Sequence, residues 1–184
     1  IPDTTPGPSR APLTGLVVDD MAGLDHPAVA IKVSDVRQAH PQTGVDRADI
    51  VFVEPIGVSY TRLAAVFHSD IPESVGPVRS IRPPDAPLLG PLAPVFGNTM
   101  GAQWVVDYVD ATANVDDLGT LRVSGSGAYV QDATRPRPDD VFAKPMVLLD
   151  LSDFTDPPEP YFAYASDTEP SSAERAGGPG TSVE

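Results

Sequence analysis

The chain has 184 residues, no cysteine, and 26 acidic against 12 basic residues, a formal net charge of −14. That length points to one domain with room for a real core. Without cysteine there are no disulfides, thiol nucleophiles or thiolate zinc sites. The negative balance argues against nucleic acid and anionic lipid as partners.

"IPDTTPGPSRAP" opens the chain with four prolines in twelve residues, so residues 1–11 read as a flexible tether. No apolar run approaches the ~20 residues that cross a bilayer, and no signal peptide is visible. The chain is therefore cytosolic or starts after processing, and a tether suits a protein held off a membrane by an upstream anchor. "PAVAIKVS" (27–34) alternates and is β-rich, which predicts a strand. "VRQAHPQTGVDR" is a polar loop broken by Pro41 and Gly44. "ADIVFVE" (48–54) has four apolar residues in a row and predicts a strand buried on both faces, ended by Pro55 and Gly57. "TRLAAVFHS" (61–69) predicts another strand.

From Pro83 to Pro94 there are five prolines, both ends included, and "DAPLLGPLA" predicts a short helix among them. "PVFGN" predicts a short buried strand. "GAQWVVDYV" (101–109) has helical spacing. "SGSGAYVQDATRPRPDD" predicts loop or hairpin, and "KPMVLLDLSDF" a helix with Pro145 in its first turn. The globular part spans 12–155, and 156–184 reads as a Pro/Gly/Ser/Glu-rich linker or disordered end. The fold class is α/β or α+β: a single layered domain with a mixed central sheet and short flanking helices.

Glu54 closes an apolar strand, where open sheets place ligands; equally, it is the first solvated residue beyond a core. Arg62 begins the next strand and needs a partner if buried. Glu54, a few residues back across a hairpin, is the natural one. "GPVRSIRP" (76–83) holds Arg79 and Arg82 between prolines. Arginine is the best side chain for bidentate recognition of carboxylate or phosphate, although such arginines also latch loops by bonding carbonyls. His26, His40 and His68 lack metal-ligand spacing, and no nucleotide, elbow or zincin signature occurs. No cofactor or metal is expected.

"HPQTGVDRADIVFVE", "TRLAAVF" and "GPVRSIRP", in this order and spacing, resemble the N-terminal domain of the YerB-like family of bacterial envelope lipoproteins, a domain of unknown function. The resemblance covers about 12–153. It implies an exported, lipid-anchored, extracytoplasmic protein whose relatives often carry a second domain. The family pattern falls on Asp35, Gln42, Gly44, Asp49, Glu54, Thr61, Arg62, Gly76, Pro77, Arg79, Ser80, Arg82 and Pro83. There are departures: Ser34 and Asp35 replace an acidic–Asn pair, and Asp139 and Asp140 stand where relatives show His-Asn. The second departure counts against histidine-based catalysis in this chain.

Three readings follow. The first is a binding domain that holds an anionic small molecule, a glycan or an envelope protein through Asp35, Gln42, Glu54, Thr61, Arg62, Arg79, Ser80 and Arg82. The second is an envelope hydrolase with Glu54 or Asp35 as general acid or base. The third is purely structural, with arginines and acids knitting loops together. In all three, nucleic acid is no partner, and the membrane is reached only through an upstream lipid anchor.

Overall fold

All six residues of strand β1 (Val29–Ser34) are buried, and the rest of the fold is arranged around it. The computed structural model describes residues 9–164, 169, 170 and 175. β2 (Ile50–Ile56) and β3 (Tyr60–Phe67) form a hairpin, and β4 (Val95–Gly97) and β5 (Asp116–Asp117) complete a five-stranded sheet in the order β2-β3-β1-β4-β5. β1 runs antiparallel to β3 and parallel to β4, so the sheet is mixed. β6 (Tyr129–Gln131) and β7 (Val141–Ala143) form a separate antiparallel pair.

Alternation along β1 and β3 divides the core in two. Ala28, Ala30, Ala64 and Val66 face α1 (Asp85–Leu89) and α2 (Gln103–Thr112), where Leu89, Val105, Val106 and Val109 cover them. Val29, Ile31, Val33, Ala65 and Phe67 face Leu148 of α3 (Pro145–Leu151), Ala128, Ala143, Val75 and Val78. The result is one α/β domain with a mixed central sheet between short helices on one side and α3 with the β6–β7 pair on the other.

Four expectations change. The strand over 48–54 is not buried on both faces: β2 is the sheet edge, and Val53 is 62% exposed. A run of β-branched residues reports strand propensity, not strand position. Pro55 lies inside β2 without ending it, as an edge strand permits. Residues 9–11 of the expected tether pack on the domain: Arg10 bridges to Val17, and Ala11 is buried. Residues 1–8 lie outside the described residues. At the other end, Tyr161 meets Phe52 edge-on at 5.6 Å, so packed chain continues past residue 155. The end beyond Tyr164 is almost entirely outside the described residues.

Where β4 ends, the segment carrying "GPVRSIRP" takes its place beside β1. Ser34 N donates to Pro77 O at 2.9 Å, and Arg79 N to Lys32 O at 2.8 Å. Thr99 N then donates to Arg79 O at 3.0 Å, and Ile81 N to Met100 O at 3.0 Å. The segment is thus wedged between the carboxyl ends of the two central parallel strands. Gly76 is required by close approach: a Cβ there would meet Phe142 Cδ1 at 2.7 Å and Val141 O at 3.0 Å.

Candidate functional site

The hairpin register places Glu54 opposite Arg62, and Arg62 opposite Ser34 on β1. All three share the face towards α1. Glu54 nevertheless pairs with Lys32, not with Arg62: Lys32 Nζ donates to Glu54 Oε1 at 2.5 Å and to Asp85 Oδ1 at 2.7 Å. Lys32 lies two strands from β2, about 9–10 Å away at ordinary strand spacing. Ala64 is its partner on the intervening strand, and the small side chain lets the lysine stem reach over. Lys32 is fully buried and Glu54 2% exposed. Asp85 starts α1 and also accepts Arg82 N–H through Oδ2 at 2.6 Å.

This buried cation with two carboxylates corrects the expected Arg62–Glu54 pair. One cation against two acids leaves surplus negative charge out of water. Burial first, then the charge of Asp85, raises the Glu54 pKa to about 7, with Lys32 opposing. Sequence reasoning passed over Lys32 and Asp85. The signal was present: a lysine between Ile31 and Val33 in an otherwise apolar strand must find carboxylates if that strand is central.

Arg62, on the same face, is half-buried and bonds elsewhere. Its Nη1 donates to Ser80 O at 2.6 Å. Burial, then the like charges of Arg82 and Arg79, lower its pKa to about 10. Among the described residues no carboxylate makes an ion pair with Arg62 or Arg82, whereas Arg47, Arg79, Arg122 and Arg137 all have one. Arg79 Nε lies 3.6 Å from Asp139 Oδ1, an ion pair too long for a hydrogen bond. Both atoms are buried without a hydrogen-bond partner. Arg82 Nη1 donates to Ile81 O at 2.8 Å.

An open cleft of about 460 Å³ lies beside these groups, lined by Ser34, Val36, Gln38, Ile56, Tyr60, Thr61, Arg62 and Arg79. Ser34 is 1% exposed, and its Oγ has no hydrogen-bond partner. Thr61 donates to Asp35 Oδ2, and Gln42 Nε2 donates to Asp35 Oδ1 at 3.2 Å and to Ser34 O at 3.1 Å. Ser80 Oγ is 3.4 Å from Thr99 Oγ1. Of the residues singled out in the sequence, Thr61, Arg62 and Arg79 line the cleft. Asp35 and Gln42 brace its rim, and Ser80 holds Arg62 through its carbonyl. Arg82 and Glu54 sit behind the wall and do not line the cleft.

A family model described as "Protein of unknown function (DUF3048) N-terminal domain" matches residues 13–156. The chain is 43% identical over 82 residues to a protein of Bacillus subtilis (strain 168) named "Putative lipoprotein YerB", covering 45% of this chain and 24% of that protein. It is also similar to the crystal structure of YerB from Bacillus subtilis, with a TM-score of 0.74 and 25% identity over 83% of this chain and 53% of the solved one. The chain thus spans about half of the solved relative and the match about a quarter of the curated one. It belongs to this family of unknown function.

Proposed function

We propose that this member of the family is an extracytoplasmic binding domain, anchored at the envelope through lipid. Its cleft between Arg62 and Arg79 holds the anionic group of an envelope ligand. The name of the Bacillus subtilis relative supports the location. One observation carries the binding reading: a half-buried arginine, without a carboxylate ion pair among the described residues of a −14 chain, lines an open cleft together with a second arginine, and the pull of Asp85 and Glu54 on it is smaller than the effect of burial and of the neighbouring Arg82 and Arg79. Like charges are kept together where an anion offsets their repulsion, and two guanidinium groups offer several donors to one carboxylate or phosphate.

The hydrolase reading has less support. A general acid must reach the scissile bond within hydrogen-bond distance. The Glu54 pKa of about 7 suits such a role, but its carboxyl is committed to Lys32 behind the cleft wall. Asp35 accepts from Thr61 and Gln42, which suits bracing.

Calorimetric titration with acetate and inorganic phosphate at low salt tests the reading. The wild type and R47A should bind at least one anion, and R79A should lose most of that affinity while still unfolding in one cooperative thermal transition, at a lower midpoint because Asp139 loses its cation. Equal binding by R79A and R47A would sink it.

A further inference from the structure

The cleft has two unlike ends. Arg62, Arg79 and the unpartnered Ser34 hydroxyl form the cationic end. Ile56, Tyr60 and Val36 form the other. Tyr60 and Ile56 are cross-strand partners at the mouth of the β2–β3 hairpin, and Tyr60 is 62% exposed. Among the described residues its ring has no aromatic neighbour within stacking distance. A rigid aromatic face of this kind offers contact area at low entropic cost. Gln38 and Thr61 add polar groups to the lining. A cleft of this volume matches a ligand of one or two rings.

The surroundings limit the charge that such a ligand can carry. Asp35 stands at the rim behind Thr61, and Asp139 stands behind Arg79. The whole chain adds a negative field. One negative charge is neutralised by Arg62 and Arg79; a second on the same group, or a string of them, meets carboxylates.

Resting on the anion-binding reading, we infer that the ligand is an acidic sugar. It is a pyranose bearing a single carboxylate, with the carboxylate between Arg62 and Arg79 and the ring against Tyr60 and Ile56. The Ser34 hydroxyl gains its missing partner from the carboxylate or an adjacent ring hydroxyl. A polyphosphate chain and a free phosphate are the competitors, and the same geometry disfavours both.

Calorimetric titration of the whole chain separates these cases, with N-acetylmuramic acid, N-acetylglucosamine, glycerol phosphate and acetate as probes. N-acetylmuramic acid should bind at least about tenfold more tightly than neutral N-acetylglucosamine and than acetate, the worth of one charge-assisted contact or one ring contact. Y60A should lose about tenfold for N-acetylmuramic acid and leave acetate binding unchanged, which distinguishes ring stacking from a general effect on the fold. Glycerol phosphate binding as tightly as N-acetylmuramic acid overturns the acidic-sugar assignment and leaves anion binding intact. So does N-acetylmuramic acid binding no better than acetate. No heat with any anion overturns both.

Discussion

Lys32 is the residue on which the buried electrostatics turn. Its removal strands Glu54 and Asp85 without a cation in the core. K32M should destabilise the fold by ~3–5 kcal/mol, the usual result of leaving a buried charge unpaired. R62A removes one charge-assisted bond to Ser80 O and should cost ~1–3 kcal/mol. R137A, at a side chain 79% exposed, should cost less than ~0.5 kcal/mol. Denaturant midpoints for the three variants check this order; K32M no worse than R137A would contradict it. Glu54 also sets a pH dependence. Its folded pKa of about 7 lies above the ordinary 4.5, so the folded state holds this proton more tightly than the unfolded chain does. From this group, stability falls as pH rises from about 4.5 to about 7 and is level above that. E54Q should remove that slope, read as the difference between the wild-type and variant stability curves across the window. Parallel curves would show that Glu54 is already ionised throughout.

Among the elements, existence was easier to read than rank within the sheet. Strands near 29–34, 50–56 and 60–67 and helices near 85–89, 103–112 and 145–151 follow from alternation, helical spacing and proline placement. The central and edge strands were not distinguishable that way. "IVFV" is more β-branched than "AVAIKVS", yet β2 is the edge and β1 the centre, because pairing order depends on contacts far apart in sequence. A core substitution reads this directly. I31A, in fully buried β1, should cost ~2–5 kcal/mol, while V53A on the exposed face of β2 should cost less than ~1 kcal/mol. Equal losses would mean that β2 is covered. In the "GPVRSIRP" segment, G76A should destabilise by ~1–3 kcal/mol, because its methyl meets the Phe142 ring and the Val141 carbonyl. An unchanged melting temperature for G76A would show that this wedge can relax.

At the scale of the whole molecule, charge organises the candidate site. The chain carries 12 bases against 26 acids, and four of those bases, Lys32, Arg62, Arg79 and Arg82, converge at the carboxyl ends of β1 and β4 and the adjoining hairpin. Arg62 and Arg79 were legible because each stood out in its segment: one starting a strand, the other between prolines. Their division of labour was not legible. Whether Glu54 meets Arg62 or Lys32 depends on Ala64 leaving a path over β3, a fact of three-strand packing. Ser34 stood out only as a strand end and a departure from the family pattern, and Tyr60 fell just outside the expected strand over 61–69; neither was marked for the cleft, because exposure there depends on how β4 ends and the 76–83 segment replaces it. The most direct test of the cleft as an anion site is arginine side-chain NMR at low salt, following each guanidinium Nε–H during titration with acetate. The Arg62 and Arg79 resonances should shift in a saturable way that rising ionic strength weakens, while those of Arg47 and Arg122, which do not line the cleft and are hydrogen-bonded to Asp70 and Asp110, stay in place. Uniform small shifts across all four, or none at Arg62 and Arg79, would contradict anion recognition and leave the cluster as a latch between strands.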